Sequence, residues 1–294
     1  MVGKSWISKT LNVIFISFCF LVCLFFLQLF VITSFKIPSD SMEPLFFPGD
    51  YILVDKCSKG ARLFNVSDAI NRKHIKIHRV AGWRNFERND ILVFNFPYPG
   101  RWDSIVFDVM KYYVKRCIAL PGDTLEIRKA HYKIRGVNQK LGNLPAQDAL
   151  QRLIETEKIN DAGLVLKSYP NNEHFDWTIA EFGPLYIPAQ GSIIKMTPHN
   201  KLLYSNVIEW EQKKKLYLRG DTVLLGDSII HKYCFLDNYY FVSGDKMINS
   251  QDSRYWGILP ESFIVGRATM IWKSIDYSTG KIRWNRFLKR VKSE

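Results

Sequence analysis

The chain has 294 residues, 47% of them hydrophobic, and a formal net charge of +13 at neutral pH. That apolar content supports a packed core and excludes disorder throughout, and the length suits one large domain or two modest ones. The excess of lysine and arginine points to an anionic surface such as nucleic acid or lipid headgroups, or to a basic exterior that is merely solvated.

The first predicted element is a membrane anchor. No charged residue occurs between Lys9 and Lys36, and Leu11 to Val31 is dominated by Phe, Leu, Ile and Val, which matches the roughly 20 residues a spanning helix needs. We expect the transmembrane segment at 11–34. A cleavable signal peptide competes with this reading, but its apolar region covers only about 7–15 residues and ends at small side chains. Here the run is longer and ends at Ile32-Thr33-Ser34-Phe35. Lys4 and Lys9 precede the helix with no acidic residue among them, which keeps residues 1–10 cytoplasmic and sends everything past Lys36 across the membrane; long domains translocate largely regardless of charge. For a tethered, exported body the expected anionic partner is the lipid surface, and no nucleic acid is expected.

After the anchor the pattern changes to short apolar runs bounded by Pro, Gly, Asn and Asp, the signature of a mostly β body. Strands are predicted at Tyr51–Asp55, Asp90–Phe96, Val114–Leu120, Thr124–Ile127, Pro184–Ile187, Thr222–Leu225, Tyr239–Ser243 and Ile264–Trp272. The Gly-Asp pairs at 49–50, 122–123, 220–221 and 244–245 are too irregularly spaced for a repeat architecture and read as turns. Residues 61–88 are polar, basic and helical or irregular, and 145–159 carry the best helix pattern of the exported part. No catalytic signature falls in 129–220, which we read as an inserted lobe between catalytic segments at 35–128 and 221–294. The tail at 281–292 mixes Ile282, Trp284, Phe287, Leu288 and Val291 with basic residues, as in an element lying on lipid headgroups or a packed terminal helix.

Cysteine and histidine usage implies no cofactor and no metal. Of five cysteines, Cys19 and Cys23 fall in the anchor, leaving Cys57, Cys117 and Cys234, an odd number with no C-x-x-C spacing and no assignable pair. His74 and His78 have i,i+4 spacing without H-E-x-x-H or a third ligand nearby, a chance pattern.

Two polar residues are out of place. Ser41 lies in Ile37-Pro38-Ser39-Asp40-Ser41-Met42-Glu43-Pro44, directly after the anchor, and a serine attacks a carbonyl only when a base takes its proton. Lys115 sits in the apolar strand Tyr112-Tyr113-Val114-Lys115-Arg116-Cys117-Ile118-Ala119-Leu120, sharing a face with Tyr113, Cys117 and Ala119. A lysine buried there loses affinity for its proton and can serve as such a base. Its neighbour Arg116 requires the other face of the strand to tolerate charge.

Together with order along the chain, four blocks carry a likeness: Ile37 to Pro44 with Pro48-Gly49-Asp50-Tyr51-Ile52-Leu53-Val54; Asn89-Asp90-Ile91-Leu92-Val93-Phe94; Val114 to Asp123; and Ser243-Gly244-Asp245 through Asn249-Ser250-Gln251-Asp252-Ser253-Arg254-Tyr255-Trp256-Gly257. In these the chain resembles bacterial type I signal peptidase, the membrane-anchored Ser-Lys leader peptidase. The resemblance implies a β-rich catalytic body and assigns Ser41 as nucleophile and Lys115 as general base. It makes Ser39 and Ser41 the oxyanion-hole donors, Ser250 the hydroxyl that orients the lysine, and Asp252 with Arg254 a supporting ion pair. Phe35, Ile37, Met42 and Val114 would surround small apolar pockets for the substrate residues at −1 and −3, and the substrates would be signal peptides of preproteins exported across a bacterial inner membrane. The chain has Pro44-Leu45-Phe46 where the family commonly has Pro-Thr-Leu, and Lys246 where it commonly has Asn after Gly-Asp. The rival readings are a Ser-Lys protease with one dedicated substrate, a mitochondrial homologue, and a catalytically silent anchored binding module.

Overall fold

A computed structural model describes residues 2–71, 75–156 and 163–292, with the backbone alone for 2–8. Helix α1 (Val2–Phe26) runs on through a wider π-type turn at Leu27–Val31. Its apolar part, Lys9–Val31, has a mean hydropathy of 2.8 and buries nothing against the rest of the protein. Such a helix, satisfied in its own backbone bonds and apolar all round, is suited to lipid.

The anchor ends earlier than 34. Ile32-Thr33-Ser34 already belong to β1 (Ile32–Lys36), which pairs with β2 (Asp50–Asp55), Thr33 opposite Val54 and Phe35 opposite Ile52. Branched and hydroxyl side chains at 32–34 favour the extended form, so the chain passes from membrane span to sheet without a linker.

The main sheet also holds β3 (Ile91–Asn95), β4 (Tyr112–Ala119), β5 (Tyr239–Ser243), β6 (Leu259–Pro260), β7 (Ile264–Ser274) and β8 (Lys289–Arg290). Their spatial order is β1-β2-β7-β3-β4-β5-β6, with β8 on β7 and every pair antiparallel. The predicted strands are present within one to two residues at their ends. An apolar cluster under one end of the sheet gathers Ile37, Met42, Phe46, Ile52, Val54 and Ile271, with Phe35 and Val114 at its margin. Gly49 turns the chain into β2 with φ +92°, and a side chain there would strike the Ile275 carbonyl.

Between β4 and β5 the chain leaves the main sheet, an excursion wider on both sides than 129–220. It builds smaller sheets, one of which joins Thr124–Arg128 to His131–Ile134 and Phe182–Tyr186, and its apolar residues join the same core as β4 and β5. The helix expected at 145–159 is α2 (Leu144–Glu155), capped by Asn143; 157–159 lie outside the described residues. A longer helix, α3 (Pro198–Gln212), was not anticipated. Thr197 caps it, Pro198 opens it, and Leu203, Tyr204, Val207 and Ile208 form its buried stripe. Of the described residues in 61–88, Arg62–Leu63 pairs with His78–Arg79, and Val66–Ile70 forms a short helix.

The tail is not a packed helix. A 3₁₀ turn at Trp284–Arg286 leads to β8, because Arg286 turns inward to bind Asp50 at 3.0 and 2.5 Å. Cys57, Cys117 and Cys234 are all free. His78 pairs with Leu63 in the hairpin, His74 lies outside the described residues, and no metal-binding cluster occurs among the described residues.

Candidate active site

The turn between β1 and β2 presents Ser41. Ile37 and Met42, 3% and 1% exposed, anchor it in the core on either side. Backbone bonds from Ile37 N to Asp50 O (2.8 Å), Gly49 N to Ile37 O (2.9 Å) and Phe46 N to Met42 O (2.9 Å) close its base. Ser39, Asp40 and Ser41 are thereby left at the rim, with the Ser39 and Ser41 hydroxyl oxygens 3.4 Å apart.

Lys115 comes from the middle of β4, opposite Leu92 of β3, and is 3% exposed. Its Nζ donates to Ser41 Oγ at 2.6 Å and lies 5.8 Å from the centre of the Tyr113 ring. Burial pushes its pKa down to about 8, against an opposing pull from Asp252. Sequence reasoning placed Ser41 and Lys115 together across 74 positions of chain, and the structure brings them into direct contact.

Behind Lys115, Asp252 and Arg254 are both fully buried. Arg254 grips the carboxylate through Nε and Nη2, each at 2.9 Å, and Nη2 also donates to Met247 O at 3.0 Å. Gly244 N and Ser243 Oγ donate to the same carboxylate at 2.9 and 3.2 Å. Burial pushes the Asp252 pKa up, but Arg254 and these donors outweigh it and hold the group below its ordinary value. Ser250 does not meet Lys115 here: its Oγ is buried and has no hydrogen-bond partner among the described residues. It packs against Gly244, where any Cβ would collide with the Ser250 side chain and the Ser41 carbonyl.

Phe35, Ile37, Met42 and Val114 line one cleft of about 520 Å³ together with Ser39, Ser41 and Lys115. Phe35 packs on Tyr112 with ring centres 4.8 Å apart. All ten residues singled out from the sequence therefore lie in or directly behind this cleft.

A family model described as signal peptidase, peptidase S26, matches residues 8–273. The chain belongs to this family. It is accordingly a protease. It is 31% identical to a signal peptidase I of Buchnera aphidicola from Acyrthosiphon pisum, over 93% of this chain and 77% of that one. It is 24% identical to one of Aquifex aeolicus, over 90% and 83%, and 27% identical to one of Pseudomonas aeruginosa, over 84% and 67%. A crystal structure of a signal peptidase I from Enterococcus faecalis aligns with 63% of this chain at 20% identity and a TM-score of 0.29.

Two sets of contacts escaped the sequence. Arg116's face of the strand tolerates its charge by pairing rather than by solvent: the residue is buried and holds Asp245 bidentately, both bonds 2.7 Å, with Asn89 O at 3.2 Å. Ser243 stands opposite Arg116 in the β4–β5 pairing, which delivers Asp245 to it. Next to Asp245, Lys246 reaches over the serine turn. Its Nζ bonds Asp40 and, at 3.0 Å, Glu43, while its backbone N donates to Ser41 O at 3.0 Å. Asn249 adds bonds to Asp40 at 2.9 and 3.1 Å. The signal was present in the two acids flanking Ser41 and the unusual lysine after Gly244-Asp245, but only the fold brings them together.

Proposed function

We propose that this protein removes signal peptides from preproteins at the outer face of a bacterial inner membrane, using Ser41 as nucleophile and Lys115 as base. The observation that carries the reading is the 2.6 Å contact between Ser41 Oγ and a buried lysine amine whose pKa has fallen to about 8. Once neutral, Lys115 accepts the Ser41 proton as Oγ attacks the scissile carbonyl. The negative oxygen that forms is met by Ser41 N–H and the Ser39 hydroxyl, donors that act on the transition state more than on the substrate. Lys115 then passes the proton to the departing amine, and, neutral again, deprotonates a water that releases the acyl group from Ser41, to whose oxygen the proton returns.

The remaining residues position these two. Asp252 and Arg254 fix the wall behind Lys115, and Ser250, its hydroxyl free of other bonds among the described residues, is poised to hold the amine in orientation. The shallow apolar cleft of Phe35, Ile37, Met42 and Val114 suits small side chains at −1 and −3. With α1 joined directly to β1, the cleft lies where an extended peptide leaves the bilayer. Trp284, Phe287 and Leu288, exposed among basic neighbours, suit contact with anionic headgroups. The test is to incubate the detergent-solubilised protein with a preprotein bearing Ala at −3 and −1 and to map products by mass spectrometry. One cut after the −1 Ala is expected, and an intact preprotein in the presence of folded enzyme would contradict the proposal.

A further inference from the structure

We infer that the excursion between β4 and β5 takes part in positioning the catalytic base: Tyr132 reaches Asp252 through the Ser243 hydroxyl and so holds the support behind Lys115. The inference rests on the proteolytic reading above.

Tyr132 lies on the strand His131–Ile134 and is buried. Its hydroxyl donates to Ser243 Oγ at 2.6 Å, across 111 positions of chain. Ser243 has one hydroxyl proton, and with its oxygen already accepting from Tyr132 it gives that proton to Asp252 Oδ2 at 3.2 Å. A hydroxyl that accepts one bond is polarised to donate a stronger one. Without the phenol, the Ser243 proton is free to turn to Gly244 O, 3.3 Å away, and Asp252 keeps Gly244 N and Arg254 as its donors.

The segment that carries Tyr132 is itself tied to the site. Gln147 on α2, buried, accepts from Tyr132 N at 3.0 Å and donates to Leu141 O at 2.7 Å. Asn89, buried just ahead of β3, donates to Lys140 O at 2.8 Å and accepts from Gly142 N at 2.9 Å, while its own carbonyl accepts from Arg116. Residues 132–147 are therefore bonded to both buried ion pairs near Lys115: to Asp252 with Arg254 through Ser243, and to Arg116 with Asp245 through Asn89. A buried phenol needs some acceptor; this one uses a side chain that touches the carboxylate behind the base.

The charged groups facing Lys115 are Asp252, Asp245 and Asp40, which favour its ammonium form, and Arg254, which opposes it. Weakening the Ser243 bond leaves more of the Asp252 charge uncompensated. The ammonium is then favoured, and its deprotonation requires a higher pH.

The test measures kcat and the pH dependence of kcat/KM on one preprotein-derived peptide with Ala at −3 and −1, using full-length protein in detergent micelles. Tyr132→Phe keeps the ring and removes the hydroxyl. It should lower kcat about fivefold, as for one lost hydrogen bond, with KM little changed, and move the rising limb of the profile to higher pH. Ser243→Ala should move the limb the same way, and in that background Tyr132→Phe should add nothing, because the two act in series. As a control, Ile208→Ala loosens the excursion elsewhere, on α3; it should lower the urea midpoint and leave the limb where it is, since the position of the limb does not depend on how much enzyme is folded. Wild-type kcat and limb in Tyr132→Phe, effects that multiply in the double variant, or an equal limb shift in Ile208→Ala would each overturn the inference while leaving the peptidase reading intact. If the wild type does not cut the peptide, the peptidase reading itself fails and the inference falls with it.

Discussion

Lys115 and Arg254 are cations buried to the same degree within one site, and the protein treats them in opposite ways. Arg254 has a carboxylate held at two atoms and a backbone carbonyl. Lys115 has one neutral hydroxyl. A buried cation gripped by a carboxylate stays charged and fixed, whereas one without a carboxylate in contact gives up its proton near neutrality. Arg116, adjacent to Lys115 on β4, follows the first pattern through Asp245. The site thus places one titratable amine among permanently charged supports, a device for base chemistry at ordinary pH.

The comparison can be broken from the Lys115 side. Lys115→Ala or Ser41→Ala should lower kcat/KM for a preprotein by about 10⁴ or more, with far-ultraviolet circular dichroism unchanged. It can be broken from the paired side as well: Asp252→Ala strands Arg254 in the interior and should destabilise the fold by about 3–5 kcal/mol in urea unfolding. Ser39→Ala removes the proposed oxyanion donor and leaves the charges alone, so kcat should fall by about 10²–10³ with KM little changed. Lys246→Met sharpens the contrast with an exposed clamp. Losing its bonds to Asp40 and Glu43 should loosen the Ser41 turn and lower kcat by about tenfold, equivalent to about 1.4 kcal/mol, and Lys246→Arg should restore much of the rate.

The contact between Ser41 and Lys115 was legible because each member violates a local expectation: a lysine in a strand otherwise fit for a core, and a serine in a turn directly after a long apolar helix. The strands of the main sheet were legible because short apolar runs bounded by Pro, Gly, Asn and Asp leave few alternatives. The electrostatic framework was not. Arg116 with Asp245 is 129 positions apart and Lys246 with Asp40 is 206, and nothing local in a sequence says which acid meets which base. Helix α3 was missed because its stripe of adjacent pairs, 203–204 and 207–208, resembles a short buried strand until the Thr197-Pro198 start is weighed. The packed-helix alternative for the tail fails because Arg286 looks like one more basic surface residue and is instead the buried partner of Asp50.

The central claim is that Lys115 acts as a neutral base because burial has lowered its pKa. The direct measurement is kcat/KM for one preprotein-derived peptide from pH 6 to 10. Below its pKa Lys115 carries its proton and cannot accept that of Ser41, so the rate should rise with pH and level off, with an apparent pKa of about 8. A rising limb centred near 10.5, or a rate indifferent to pH across this range, would contradict the account.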